Sequence, residues 1–310
     1  MEIYITVISL LISLVFLTFI QKYFLKKKFI DSINKRSSHE TIATRSGGIS
    51  IFLTLLLISI YFYLNSVEIF DYSYLIPLSI LLVVGLYDDI HDVDFKLKFL
   101  FQIITAKILI DNGFIIDNFH GILGIGELNR IIAQIFSAFI IVAIINSINF
   151  IDGIDGLAVS VISIFIISFE YFSMYHTEFN TISIVLMASF IPLLFFNFRS
   201  KNKIFLGDSG SLFLGGVVSI YVLNILSNDY LIKPEFDINK MVFVVSILGY
   251  PIIDIIRVFF LRIFRGTSPF VADKNHIHHI LLKRFKSHIK TSLFIVFTSL
   301  LFTILLQAIF

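Results

Sequence analysis

Apolar residues run along this chain in long blocks separated by short polar breaks. Charge-free windows cover 3–21, 46–67, 72–87, 131–151, 156–169, 179–198, 209–228 and 291–310. Two further blocks carry isolated charges: about 97–112, with Lys107 and Asp111, and about 241–260, with Asp254 and Arg257. A membrane-crossing helix needs about 20 mostly apolar residues, so the pattern predicts ten such helices, or eleven with one more crossing. The blocks are continuous and do not alternate with period two, which excludes a transmembrane β-barrel. Backbone polar groups in lipid must bond internally. The fold class is therefore all-α: a polytopic integral membrane helical bundle. No repeat or soluble domain interrupts it, so residues 1–310 read as a single membrane domain.

Composition agrees. Of 310 residues, 57% are hydrophobic and only 15% charged, against about 25% charged in soluble domains; mean hydropathy is +0.93. A soluble enzyme, a disordered chain and a collagen-like repeat are excluded. There is no Cys, so disulfides, thiolate nucleophiles and Cys-based metal sites are excluded too. In the first 30 residues, Lys22, Lys26, Lys27 and Lys28 follow the apolar run, which predicts a retained helix and not a cleaved leader.

The formal net charge of +2 conceals a sorting. Of the 24 Lys and Arg, 20 fall in every second loop. The positive-inside rule makes those loops cytoplasmic. The polar residues with chemistry lie in the same loops, at about 22–46, 88–98, 146–157, 197–211 and 262–290. Ionisable groups at a membrane boundary are costly and mark function. One polar loop alone is an ordinary helix end; five such clusters on one face are not.

Asp88-Asp89 ends one helix, and Lys96, Lys98 and Gln102 open the next. Asn146, Asn149, Asp152 and Asp155 recur every three residues. Gly153 and Gly156 let the chain turn so that both Asp residues face a ligand. Their oxygens and amides suit sugar hydroxyls or a nucleobase edge; a calcium loop fits less well, with too few oxygens in order. Gly207-Asp208-Ser209-Gly210 opens a helix, where Asp208 is placed to hold Mg²⁺ and nearby amides to face phosphate. His276, His278 and His279, with Lys274, Arg265 and Arg262, make a basic wall suited to phosphate, better than to zinc. Carboxylates for Mg²⁺, cations for phosphate and a membrane boundary together suggest phosphoryl transfer between a lipid and a water-soluble substrate.

These residues resemble the polyprenyl-phosphate N-acetylhexosamine-1-phosphate transferases of glycosyltransferase family 4. That superfamily includes the phospho-N-acetylmuramoyl-pentapeptide transferase of peptidoglycan synthesis. The resemblance runs in order through Asn34-x-Arg36-Ser37-Ser38-His39, Arg45-x-Gly47-Gly48, Asp88-Asp89, Lys96, Lys98 and Gln102. It continues through Asn149-x-x-Asp152-Gly153-x-Asp155-Gly156, Asn197, Phe205-Leu206-Gly207-Asp208-x-Gly210-Ser211, Pro251-x-x-Asp254, and Ser268-Pro269-Phe270 to His276-x-His278-His279.

The resemblance implies that a polyprenyl phosphate attacks the β-phosphorus of a UDP-amino sugar, releasing UMP. It implies Mg²⁺, or Mn²⁺ in its place, held by Asp208. Asp88 would be the base or nucleophile-positioning group, supported by Asp89, with His276, His278 and His279 also catalytic. Arg36, Ser38, His39, Arg45, Lys96, Lys98, Asn149, Asp152, Asp155, Asn197 and Phe205 would bind substrate, Phe205 by stacking on uracil. The last loop resembles the sugar-only branch that starts O-antigen, common antigen or teichoic acid, more than the pentapeptide transferase.

The chain has Ile42 and Thr44 where the family usually has prolines, and Arg199-Ser200-Lys201 where Pro-Pro-Ala is usual. These departures admit a deoxy amino-sugar donor. The implied setting is the bacterial inner (plasma) membrane with a cytoplasmic site, a homodimer being admitted, without nucleic acid. Two rivals fit less well. An intramembrane aspartyl protease would pair Tyr87-Asp88 with Gly207-Asp208 but has no use for Asn149, Asp152 and the His loop. An ion-coupled transporter would carry its carboxylates near the bilayer midplane.

Overall fold

The computed structural model describes residues 1–31, 42–119, 126–227, 230–234, 236, 239–266 and 275–309. Each of the ten apolar blocks is helical: α1 (Glu2–Lys27), α2 (Gly47–Leu64), α3 (Leu75–His91), α4 (Phe95–Asp111), α5 (Arg130–Ile151), α6 (Leu157–Phe172), α7 (Asn180–Asn197), α8 (Gly207–Leu226), α9 (Lys240–Ile247) with α10 (Gly249–Phe264), and α12 (His288–Ile309). A short helix, α11 (Ile277–Phe285), lies in the last polar stretch, where the apolar pattern predicts none.

Among the described residues, seven helices are long and apolar enough to cross a membrane. They number eight if α9 and α10, bent by 68° at Leu248, form one broken span. The expected ten or eleven are not reached on this measure. The helix α6 has only 16 residues, and α4 carries Lys96, Lys98, Lys107 and Asp111 in 17. The chain is nonetheless an all-α membrane protein, with large apolar side chains such as Ile3, Phe19, Ile135, Phe195 and Phe297 exposed on its outside.

The centre of the bundle is α8, in which all but Asp208, Asn224 and Leu226 are buried. Small residues let its neighbours approach at backbone distance. A Cβ on Gly48 of α2 would fall 2.2 Å from Gly210 Cα, and one on Gly85 of α3 would fall 2.3 Å from the Asp208 carbonyl oxygen. A Cβ on Gly215 would meet Ile145 Cα of α5 at 2.8 Å. Aromatic rings fill the rest, as where Phe52 meets Phe213 edge-on at 5.3 Å.

Two residues of strand, β1 (Ala43–Thr44), pair in parallel with β2 (Lys203–Ile204). The pairing continues into the helices. Phe205 N donates to Thr44 O at 2.8 Å, and Gly47 and Gly48 N donate to the carbonyls of Phe205 and Leu206. The first amides of α2, which a helix leaves without internal partners, are thus satisfied by the segment that leads into α8. The loop before α2 and the loop before α8 are thereby locked together.

Candidate active site

Asp88 and Asp89 sit in the last turn of α3, and Asp208 in the first turn of α8. The backbone contact at Gly85, one turn earlier, brings these ends together. After α3 the chain reverses through Asp92 (φ 51°) and enters α4; Val93 N bonds Asp88 Oδ1 at 2.7 Å across that turn. The reversal returns Lys98 to the cluster. Its Nζ lies 2.9 Å from Asp88 Oδ2 and 3.0 Å from Asp208 Oδ2. From the end of α5, Asn149 Nδ2 donates to Asp208 Oδ1 at 3.1 Å and to Ser211 Oγ at 2.8 Å. Three elements thus fix Asp208, and one ammonium spans both carboxylates.

Asp89 does different work. Its two oxygens accept from the amides of Asp208 and Ser209, each at 2.9 Å, so it caps α8 from another helix. The expectation that these amides face phosphate is corrected, because Asp89 already occupies them. Arg45 lies 3.8 Å from Asp89 and bonds Asp31 at 2.6 Å. Burial works against the Arg45 charge, but Asp31, Asp89 and Asp208 outweigh it and raise its pKa. Gly207, at φ +77°, leaves no room for a Cβ, which would fall 2.7 Å from Asp89 Oδ2.

The turn between α5 and α6 forms the next wall. Burial first, then the charges of Asp208 and Asp89, pushes the Asp152 carboxyl well above the usual range. Gly156 takes φ +73°, as its place in the turn requires. Gly153 serves a close approach: a Cβ there would meet His278 Nε2 at 2.6 Å and His279 Cε1 at 3.2 Å. His276 lies against Phe150, with ring centroids 5.5 Å apart. The His loop therefore closes over the α5–α6 turn. His278 is fully buried, and burial, then His279 and His276, holds its pKa down at about 3.

Mg²⁺ is commonly held by one or two carboxylates, with phosphate oxygens and waters completing its shell. Asp88 and Asp208 face the same ammonium from two helices. Among the described residues no group of three metal-capable side chains forms, so a divalent cation here would take most of its shell from phosphate oxygens and water.

Residues 71–226, the stretch from the approach to α3 through α8, match the family model for Glycosyl transferase family 4. The chain belongs to glycosyl transferase family 4. It is similar to the "Probable undecaprenyl-phosphate N-acetylglucosaminyl 1-phosphate transferase" of Bacillus subtilis, with 32% identity over 96% of this chain and 82% of that protein. It is also similar to two proteins named undecaprenyl-phosphate alpha-N-acetylglucosaminyl 1-phosphate transferase. The one from Haemophilus influenzae is 29% identical over 87% of this chain and 76% of its own. The one from Thermotoga maritima is 29% identical over 94% and 85%. The resemblance read from the motifs is borne out.

In this family 4 chain the structure gathers Asp88, Asp89, Asp208, Lys98, Asn149, Arg45 and Asp152, and sets His276, His278 and His279 beside them. Other expected site residues are engaged elsewhere. Asp155 pairs with Lys203 and lies 3.5 Å from His288 Nδ1; its amide bonds that same nitrogen at 3.1 Å. Asn197 Nδ2 holds the Ile204 carbonyl at 2.9 Å, fixing β2. The Lys96 side chain is exposed, and Phe205 is partly exposed at the junction of β2 and α8. Arg265 is exposed and Arg262 is buried. Arg36, Ser38 and His39, with Asn34, Ser268, Pro269, Phe270 and Lys274, lie outside the described residues.

Sequence reasoning missed Asp31 as the partner of Arg45, and Lys203 and His288 as the partners of Asp155. Lys203 entered only as a charge in a positive loop. His288 and Asp31 stand apart from any motif, so no local signal could have found them.

Proposed function

We propose that this chain transfers N-acetylglucosamine 1-phosphate from UDP-N-acetylglucosamine to undecaprenyl phosphate. The products are undecaprenyl-diphosphate N-acetylglucosamine and UMP. The observation that carries this reading is the paired carboxylates Asp88 and Asp208 about Lys98, in a chain whose relatives bear that activity in their names.

A phosphate monoester's second pKa is about 6, so the lipid phosphate is mostly dianionic at neutral pH. It needs placement and charge compensation more than deprotonation. Lys98 supplies positive charge between the carboxylates, and Asp88 orients the lipid phosphate. An oxygen of that phosphate attacks the donor's β-phosphorus. The bond from that phosphorus to the oxygen bridging to the α-phosphate breaks, and the electron pair leaves with UMP. Asp208 and Asp88 would hold Mg²⁺, or Mn²⁺ in its place, which when bound neutralises the diphosphate and the leaving UMP. Asn149 keeps Asp208 aimed, Asp152 and Phe205 receive the uridine, and the His loop receives the sugar and diphosphate.

In this reading α4 and α6 also cross the bilayer, α9 and α10 form one broken crossing, and the ten spans put the cluster at the cytoplasmic face of a bacterial plasma membrane. The sorting of cations supports this, as does the meeting of the α3 and α5 C-termini with the α4 and α8 N-termini. The lipid-linked product would begin a surface glycan such as O-antigen, common antigen or teichoic acid.

The test is purified protein with undecaprenyl phosphate, Mg²⁺ and a donor panel: UDP-N-acetylglucosamine, UDP-N-acetylfucosamine, UDP-N-acetylquinovosamine and the UDP-muramoyl-pentapeptide. UMP should form from UDP-N-acetylglucosamine and vanish in Asp208→Asn. The transferase reading is wrong if no UDP-amino sugar gives UMP above that control.

A further inference from the structure

One motif remains without a role: Pro251-x-x-Asp254, on α10. This helix buries a single stripe, Gly249, Pro251, Asp254, Val258 and Arg262, and leaves Ile253, Ile256, Phe259, Phe260 and Ile263 exposed on its other side. Asp254 is thus a carboxylate placed on the inner face of an otherwise lipid-compatible helix, with its side chain 1% exposed. Such a placement is costly unless every oxygen is satisfied, and here it is. Oδ1 accepts from the Ile277 amide at 2.9 Å and from Arg257 Nη2 at 2.8 Å. Oδ2 meets His276 Nδ1 at 2.8 Å.

We propose that Asp254 is the positioning residue of the His loop, acting on the donor through His276. The inference rests on the transferase reading above. An ionised carboxylate only accepts hydrogen bonds, so its partner on the imidazole must be Nδ1–H. In the neutral ring this leaves the lone pair on Nε2. The same carboxylate caps α11 at its first amide, Ile277 N, which fixes the backbone that carries His276, His278 and His279. Ring contacts on Phe150 at 5.5 Å and on His278 at 5.5 Å hold the imidazole plane. Asp254 therefore sets the position of His276 and which nitrogen it offers to the sugar-phosphate part of the donor. Carboxylates that orient a ligating histidine in this way cost about 10- to 100-fold when removed.

The variant Asp254→Asn separates geometry from tautomer. Asn keeps an oxygen for Ile277 N and Arg257, but turns an NH₂ towards His276 and so forces Nδ1 to accept. Three readouts decide: ¹⁵N NMR of His-labelled protein in nanodiscs, thermal melting, and UMP formation. The parent should show His276 protonated at Nδ1, and Asp254→Asn should show it protonated at Nε2. The variant should melt close to the parent yet lose about 10-fold or more in kcat. In a His276→Ala background the same change should cost nothing further. The proposal is overturned by an Nε2–H tautomer in the parent, or by full activity in Asp254→Asn. A loss that persists undiminished in the His276→Ala background also overturns it. Failure of the parent to release UMP would strike the transferase reading instead, and the tautomer would still decide the role of Asp254.

Discussion

Asp88 and Asp89 are adjacent in sequence, and their carboxylates touch different things. Among the described residues, Asp88 meets Lys98, while Asp89 meets the α8 amides and, at longer range, Arg45. Asp89→Ala should therefore destabilise the protein by about 1–3 kcal/mol, the cost of buried amides left without partners, and lower its melting temperature. Asp88→Asn should melt like the parent while UMP release collapses. Melting curves beside initial rates check both. The Asp-Asp pair is plain in the sequence, but the division of labour is not, because it depends on a helix N-terminus 119 residues further along. His278 gives a pH prediction. Its pKa falls from 6.5 to about 3 on burial, so between those values the unfolded chain binds a proton that the folded protein refuses. The His278 contribution is intact above pH 6.5 and is lost as pH drops below it, by about 1.4 kcal/mol per unit, while the raised Asp152 carboxyl acts in the opposite direction. The readout is therefore the difference between parent and His278→Gln: melting from pH 7 to pH 5, the parent should lose stability relative to the variant.

The helices α2, α3 and α5 approach α8 at backbone distance through Gly48, Gly85 and Gly215. Gly48→Val and Gly85→Val would drive side chains into the backbone of Gly210 and of Asp208. Each should cost at least about 1–3 kcal/mol and displace Asp208 as well, so activity should fall further than stability alone explains. Detergent melting and UMP assays measure the two effects separately. The helical blocks were readable because continuous apolar runs have one economical answer in lipid. Other elements were not. A strand of two residues, Ala43–Thr44, has no periodicity to detect, and its register with Lys203 comes from tertiary contact. The helix α11 is nine residues long inside a polar stretch. The bend at Leu248 has only Gly249 to announce it, and Pro251 suits the first turn of α10 once the break exists. The Arg199-Ser200-Lys201 departure has a structural consequence: the Arg199 guanidinium covers the rings of Phe195 at 5.1 Å and Phe196 at 4.5 Å.

At the scale of the molecule, sidedness and chemistry are one claim. The loops rich in cations are those that meet at Asp88, Asp208 and Asp155, and they include Lys203 and Lys98. The other end of the bundle carries different contacts, such as the bridge from Ser173 to Ile232 and the Glu170 bonds to Thr177 and Ser183. A chain without cysteine makes this testable with single replacements. Lys201→Cys should resist a membrane-impermeant maleimide in intact cells and react in inverted vesicles, and Ser66→Cys should do the reverse. The clustering of five loops on one face was legible from charge alone; which residues touch, and which serve as braces, was not. The central claim is that the sugar leaves its donor together with one phosphate. Donor labelled with ³²P at the β-phosphorus decides it. Incubated with the protein, undecaprenyl phosphate and Mg²⁺, the label should pass into the lipid fraction while unlabelled UMP appears. Label remaining in water as UDP, with sugar alone in the lipid, would contradict the account.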